Sequence, residues 1–239
     1  MEKTRIDKIK DALKFYLAMN SLKDIPRTGW LDWNVKRDRL ESVADHTCGT
    51  QQLAYAIWSE FDIPINFERV ITMLSFHESE EPVIGDIPLV HDLKKYKKGM
   101  GEVAVSSLSE PMTKKDYIRG LIAEFEEGKT KEAKFAKFID KLECDLQSKI
   151  YDEECEIDLN DQENNPSAHV ELVEKLLGEG KTFSEMWMEF GRGIYNYPEE
   201  FNDISTYAES SNLHEIRDNN INEAKEKVKT YLEMIRKGN

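Results

Sequence analysis

The segment SFHESEEPVIGDIP (residues 75–88) comes at the end of an apolar, helix-forming run that begins at Val70. One histidine and three glutamates occupy four of the five positions 77–81. Burying four ionisable side chains at the edge of a core costs free energy unless something compensates their charge. The segment therefore indicates either a solvated helix end or a bound cation.

The two kinds of residue in this segment fit a helix end differently. His77 suits a helix C-terminus, where an imidazolium interacts favourably with the helix dipole. Glu78, Glu80 and Glu81 oppose that dipole. Exposure to solvent could explain two of these three acids without a bound cation. We expect Glu80 to be exposed.

Apolar residues recur at spacings of three and four along nearly the whole chain, which predicts an all-α fold with no strand. Asn66 and Thr113 are candidate N-caps. Two segments, 21–41 and 156–168, read as loops, and Trp30 and Trp33 predict that the first of them folds back on the body. The predicted helices cover about 6–17, 44–61, 66–76, two segments of 90–127 separated at Pro111, 130–151, segments from 168 onward, and 222–236.

Composition limits the function classes that this chain can belong to. Its 239 residues carry a formal net charge of −14, which disfavours DNA or long RNA as a general partner but allows a small phosphorylated ligand. Three cysteines, without metal-type spacing, argue against a disulfide framework. No signal peptide and no run of about 18 apolar residues is present, so we expect a cytoplasmic protein without a membrane partner.

Two further residues could complete a cation site with His77 and Glu78. His46 opens a helix in ESVADHT, and Asp140 lies at the margin of an apolar stripe in AKFIDKLE. Two imidazoles and two carboxylates suit Mn²⁺, Co²⁺, Fe²⁺, Ni²⁺ or Zn²⁺ better than Ca²⁺. Spacing alone leaves the alternatives open, since His77 could be a dipole partner and Asp140 an exposed acid.

Four segments in order resemble one known family. RTGW (27–30), ESVADHT (41–47), EEPVIGDIP (80–88) and AKFIDKLE (136–143) are similar to the HD-domain metal-dependent phosphohydrolases, in particular to the small subgroup that contains the 5'-deoxynucleotidases. The resemblance extends over about residues 5–205. It implies a helical bundle with a metal site between helices.

The resemblance also implies roles for single residues, with Mg²⁺ joining the metals named above as a candidate. Glu81, which the spacing places on the same helix face as His77, would help to position or activate the attacking water. Asp86 would protonate the leaving oxygen, Arg27 would bind the phosphate, and Trp30 would line the sugar pocket or serve as a structural tryptophan. The implied metal ligands are His46, His77, Glu78 and Asp140.

The chain departs from the family pattern at two places. The family doublet His-Asp is His77-Glu78 here, and the loop that carries Arg27 and Trp30 is longer than usual. A literal His-Asp pair occurs at His91-Asp92, but it follows Pro88 in a predicted loop without a preceding apolar helix. We therefore reject it as the ligand doublet.

The implied function is metal-dependent hydrolysis of a nucleoside 5'-monophosphate, with a 2'-deoxynucleotide preferred. Another phosphomonoester or a nucleoside triphosphate is an alternative substrate. From a different class, the glutamate in the doublet could mark a lapsed enzyme that serves as a nucleotide-binding or dimerisation module. We expect a core over residues 1–205, a helical extension over 206–239 packed on that core, and a homodimer.

Overall fold

The structure, a computed structural model, describes residues 3–88 and 91–238. Within these ranges the chain is helical, and the one β-type pairing is an isolated bridge between Pro26 and Ser42. The all-α prediction is confirmed. The helices are α1 Arg5–Asn20, α2 Thr28–Asp32, α3 Val43–Phe61, α4 Phe67–Phe76, α5 Glu81–Ile84, α6 Lys94–Ser109, α7 Lys115–Glu127, α8 Lys131–Glu153, α9 Glu171–Gly178, α10 Phe183–Tyr195, α11 Glu199–Ser210 and α12 Leu213–Gly238.

Side-chain caps fix where α3 and α4 begin. The Ser42 hydroxyl accepts a hydrogen bond from the Asp45 backbone N–H, and the Asp45 carboxylate accepts one from the Ser42 N–H. This capping box satisfies two of the free N–H groups of the first turn. It also holds His46 one turn inside α3. Asn66 caps α4, as its sequence position predicts.

The predicted cap at Thr113 is wrong. Thr113 lies in a turn between α6 and α7, and α7 begins at Lys115 after Lys114, which makes no side-chain capping hydrogen bond. The turn is closed by backbone bonds instead, from Met112 N–H to the Ser109 carbonyl and from Lys115 N–H to the Met112 carbonyl. These bonds displace the helix start beyond the threonine.

The segment 21–41 packs against the body, as its tryptophans predict. It contains a short 3-10 turn, Ser21–Asp24, and helix α2. Trp30 and Trp33 are each only 2% exposed. They belong to a hydrophobic cluster that also includes Tyr151 and Phe183.

Helix α8 lies at the centre of the fold and contacts α3, α4, α7, α10 and α11. Its apolar face contributes Phe135, Ile139 and Leu142 to a second cluster, in which α4 buries Val70 and Leu74. The cluster around Trp30 lies farther along the same helix, where α8 contributes Tyr151. Glu143 and Asp145 lie on α8 between these two clusters, and both are buried.

The predicted boundary between the core and the C-terminal extension is at residue 205. That residue lies inside α11, which buries Phe201 and Ala208. The start of α12 contacts α8, where the backbone N–H groups of Leu213 and His214 donate to the Glu153 carboxylate. From 215 to 236 the side chains of α12 are exposed, so only its first turn packs on the core. None of the described helices is long and apolar enough to cross a membrane.

We expect Leu142→Ala to lower the free energy of unfolding by about 2–5 kcal/mol, because Leu142 is fully buried at the centre of α8 and truncation leaves a cavity. Urea denaturation of both proteins measures this difference. Lys134→Ala, at an exposed position of α8, is the control and should change stability by less than about 0.5 kcal/mol. Equal effects of the two substitutions would contradict the central role of α8.

Candidate metal centre

Four ionisable side chains from separate parts of the chain meet beside α8. His46 comes from α3, His77 follows the last residue of α4, Glu78 is in the turn after it, and Asp140 comes from α8. All four are buried. One ligand atom from each lies within 4.8 Å of the ligand atoms of the others. The structure thus brings together the residues that the resemblance selects as metal ligands.

A neighbouring group holds the Nδ1 atom of each histidine ring, and the two Nε2 atoms point towards each other. His77 Nδ1 lies 2.8 Å from the Leu74 carbonyl oxygen, which can only accept, so Nδ1–H is the donor. His46 Nδ1 lies 2.5 Å from the Glu143 carboxylate. The two Nε2 atoms lie 3.4 Å apart, and that of His46 also lies 3.1 Å from Asp140 Oδ1. A cation between them would satisfy both nitrogens at once.

The carboxylates surround the same point. Asp140 Oδ1 lies 3.1 Å from His46 Nε2 and 3.9 Å from His77 Nε2, and Glu78 Oε1 lies 3.9 and 3.7 Å from the same atoms. Metal bonds of about 2.1 Å separate neighbouring ligands by roughly 3.0–3.4 Å, depending on the bond angle. The donor set and its spacing therefore fit a divalent ion with mixed nitrogen and oxygen ligands after small adjustments.

Glu143 supports this cluster, a role that we did not predict for it. It accepts the His46 hydrogen bond from the next turn of α8, three residues after Asp140. Gly49 of α3 makes room for it, since a Cβ at that position would lie 2.4 Å from Glu143 Oε1. The spacing Asp140-x-x-Glu143 was the available signal, because residues three apart share a helix face.

Glu78 has one methylene more than the aspartate of the family doublet, and its two carboxylate oxygens have different partners. Oε1 lies near the histidine pair and 3.3 Å from Arg27 Nη1. Oε2 lies 3.9 Å from Lys97 Nζ. The glutamate of the unusual doublet therefore still reaches the donor cluster, and it also contacts a lysine on α6.

Neighbouring charges keep the two carboxylates ionised. Burial raises the pKa of Asp140, but Lys141 and the two histidines outweigh it and hold the pKa well below its usual value. Burial likewise raises the pKa of Glu78, but His77, Lys97 and Arg27 outweigh burial and hold that pKa below its usual value. Burial lowers the pKa of His77, which favours neutral imidazole. Burial also lowers the pKa of His46, but Glu143 and Asp140 outweigh burial and hold that pKa well above its usual value. Ionised carboxylates and neutral imidazole are the forms that bind metals, so a cation bound here would displace the extra proton of His46.

Glu81 is not on the helix face of His77, contrary to the prediction. Helix α4 ends at Phe76, the chain turns, and Glu81 opens the separate helix α5. The turn nevertheless buries Glu81 close to the cluster. Its Oε1 accepts a hydrogen bond from Lys97 Nζ at 3.1 Å, and its Oε2 is buried with no hydrogen-bond partner among the described residues.

Burial and the nearby carboxylates Glu78 and Asp86 raise the pKa of Glu81 to about 10. A divalent cation at the donor cluster would oppose this shift, because its charge favours ionised carboxylate. The prediction that Glu80 is exposed is wrong, since only 7% of the residue is exposed. Helix α6 covers Glu80 at Gly101, where a Cβ would lie at van der Waals distance, 3.4 Å from the Glu80 side chain.

Arg27 and Asp86 lie next to each other beside the cluster. Asp86 Oδ2 accepts a hydrogen bond from the Thr28 N–H at 2.7 Å, and its Oδ1 is 3.7 Å from Arg27 Nη1. The Arg27 guanidinium also donates to Cys144 Sγ at 3.4 Å. The start of α2 thus places a planar cation and an acid at one side of the donor set.

A cavity of about 990 Å³ extends from the cluster between α2, α6, α8 and α10. Trp30 lines it and packs against Trp187, with ring centroids 5.0 Å apart and ring planes at 34° to each other. Its indole N–H donates to the buried carboxylate of Glu41 at 2.6 Å. Trp30 therefore belongs both to the cavity wall and to the core, and the two interpretations of this residue are compatible.

Two lysines lie at the site without having been predicted. Lys97 contacts Glu78 and Glu81 from α6, and Lys141 Nζ is 2.8 Å from Asp140 Oδ2. Nothing in the local sequence distinguishes Lys97 from its neighbours. His91, in contrast, is exposed and lies outside the four-residue cluster, in agreement with the rejection of His91-Asp92 as the doublet.

Comparison with known proteins places these features in a family. The family model "HD domain" matches residues 19–176. The 5'-deoxynucleotidase HDDC2 of Danio rerio is 33% identical over 145 residues, which cover 59% of this chain and 70% of that protein. The 5'-deoxynucleotidase hdd1 of Schizosaccharomyces pombe is 32% identical over 145 residues, covering 58% and 71%.

Solved structures agree in fold. A conserved hypothetical protein from Pyrococcus furiosus matches with a TM-score of 0.52 and 25% identity over 70% of this chain and 97% of its own. A protein titled "Predicted metal-dependent phosphohydrolase" from Magnetospirillum magnetotacticum matches with a TM-score of 0.56 and 19% identity, covering 87% and 97%. Together with the match of the family model to more than half of the sequence, the convergence of the donor residues leads to one conclusion: this chain belongs to the HD-domain family.

Proposed function

We propose that this protein is a metal-dependent phosphoric monoester hydrolase that cleaves 5'-deoxynucleoside monophosphates to nucleoside and inorganic phosphate. The names of its curated relatives support this substrate class. The single observation that carries the proposal is the convergence of four buried metal-type donors at one end of a large cavity. A lapsed binding module would have no need to retain these donors beside Arg27, Glu81 and Asp86.

The proposed metal ligands are His46, His77, Glu78 and Asp140. A divalent ion held there would supply Lewis acidity, lowering the pKa of a coordinated water and polarising the phosphoryl group. Candidate ions are Mn²⁺, Co²⁺, Fe²⁺, Ni²⁺, Zn²⁺ and Mg²⁺, since these accept nitrogen and oxygen donors.

The remaining residues of the site bind the substrate and transfer protons. Arg27 holds the phosphate with its planar, permanent charge. Glu81, in the ionised form that a bound divalent cation would favour, accepts a proton from the attacking water as the water oxygen bonds to phosphorus. Asp86 gives a proton to the ribose 5'-oxygen as its bond to phosphorus breaks. Trp30 lines the sugar end of the cavity.

We also propose a cytoplasmic homodimer in which α12 pairs with α12 of a second copy. Ile221, Ala224, Val228, Tyr231 and Ile235 recur at alternating spacings of three and four, the pattern of a coiled-coil seam. All five side chains are exposed in the single chain.

The three cysteines are free thiols, which supports a reducing compartment.

Purified protein with Mn²⁺, Co²⁺ or Mg²⁺ should release phosphate from 5'-deoxynucleoside monophosphates faster than from the matching ribonucleotides. A colorimetric phosphate assay measures the release. Asp140→Ala should lower the rate at least about 100-fold, because it removes a ligand from the donor set. Folded wild-type protein that releases no phosphate with any of these metals would favour the binding-module alternative.

Glu143→Gln should weaken divalent-metal affinity by about 10- to 100-fold, because a support that orients a ligating histidine would be lost. Calorimetric titration of metal into the protein measures this effect. Glu132→Gln, on the first turn of the same helix, is the control and should bind metal like the wild type. If Glu143→Gln bound the metal as tightly as the wild type, the proposal that Glu143 supports His46 would be wrong.

Val228→Glu combined with Ile235→Glu should convert a dimer to a monomer, because charges within a coiled-coil seam are desolvated on pairing. Size-exclusion chromatography with light scattering gives the mass. Lys229→Glu, next to the seam, is the control and should remain dimeric. A monomeric wild type at micromolar concentration would contradict the proposed pairing.

A further inference from the structure

Four cationic side chains line the part of the cavity that adjoins the donor cluster, and one of them is unpaired. They are Arg27, Lys94, Lys97 and Lys141. Three of the four lie 2.8–3.3 Å from carboxylate oxygens of the site. Lys94 has no carboxylate within 4.0 Å of its ammonium in the part of the chain that the structure describes. Its charge is therefore not neutralised by a neighbouring acid.

Helix α6 places Lys94 on the side that faces this cavity. Lys94 is the first residue of α6 and lies three residues before Lys97, so the two share a face of the helix. Lys95, the next residue, does not line the cavity, and its ammonium lies 5.0 Å from the centre of the Tyr96 ring. Lys94 is exposed, so a ligand that enters the cavity can contact its ammonium without displacing protein atoms.

The charges around Lys94 favour an anion beside it. Partial desolvation and the positive charges of Lys97 and Lys141 lower the pKa of Lys94. Glu78 and Asp86 act on this pKa in the opposite direction but do not outweigh them. A bound anion would reverse the balance, because a negative charge close to an ammonium favours its protonated form.

We propose that Lys94 is a substrate-binding residue whose ammonium donates hydrogen bonds to the phosphate oxygens of the nucleotide. This inference rests on the proposed function, in which Arg27 holds the phosphate beside the donor cluster. An ammonium has three N–H donors, and hydrogen bonds from a charged donor to a phosphate are stronger than those between neutral groups. Lys94 thus helps the site to select nucleoside monophosphates over nucleosides, which lack the phosphate.

Steady-state kinetics with 5'-deoxynucleoside monophosphates tests this contact. Lys94→Met should raise KM about 10- to 100-fold with little change in kcat, because it removes a charged hydrogen bond but keeps the metal ligands and the groups that transfer protons. Lys94→Arg, which keeps the positive charge, should retain most of the affinity. A KM of Lys94→Met within about twofold of the wild-type value would overturn the inference.

The alternative is that Lys94 only adds to the electric field that attracts anionic substrates. Lys95 provides the matched control, because it carries the same charge one residue away and lies outside the cavity. Lys95→Met should have the KM and kcat of the wild type. If Lys95→Met raised KM as much as Lys94→Met does, a direct contact between Lys94 and the phosphate would be refuted.

Calorimetric titration with inorganic phosphate, in the presence of Mg²⁺, gives a measurement that does not depend on turnover. Lys94→Met should bind phosphate at least about tenfold more weakly than the wild type and Lys95→Met do. Equal phosphate affinity in the three proteins would overturn the inference. If Lys94→Met loses phosphate affinity but the wild type hydrolyses no nucleotide, the proposed function alone is wrong.

Discussion

Two imidazole nitrogens that face each other across 3.4 Å, with two carboxylates beside them, are the arrangement on which the rest of this structure depends. The side chains are buried, so their electrostatic energy is high unless each has a partner. Hydrogen bonds to Glu143 and to the Leu74 carbonyl fix the Nδ1 atoms of the two histidine rings. The positive charges of Lys141, Lys97 and Arg27 compensate those of the carboxylates. The helices α3, α4, α6 and α8 therefore have to meet at one point, and the cavity opens beside it.

Much of this architecture is predictable from local sequence. The spacing of apolar residues gives the helices, and Asn66 marks the start of α4 because a side-chain oxygen can satisfy a free N–H of the first turn. The four donor residues stand out because histidine and acidic side chains at the margins of apolar stripes are costly to bury without a partner. Trp30 and Trp33 indicate a folded-back loop for the same reason, since large aromatic side chains are rarely left in solvent.

The errors lie where the position of a side chain depends on a distant element. Glu80 looked like an exposed acid because nothing nearby in sequence shows that α6 covers it at Gly101. Glu81 was placed on a continuing helix, but α4 ends before the ligand doublet and the chain turns. Lys97 gave no local signal, because its importance comes from two carboxylates in another segment. Local rules of propensity and spacing do not contain this information.

The hydrogen bond from Trp30 to Glu41 has a spectroscopic consequence. Burial together with the nearby Glu143 carboxylate raises the pKa of Glu41 to about 7. Glu143 in turn holds His46. A double positive charge arriving beside His46 would change the electric field along this series of contacts up to the indole. Trp30 is thus a built-in fluorophore whose emission can report occupation of the donor cluster without any label.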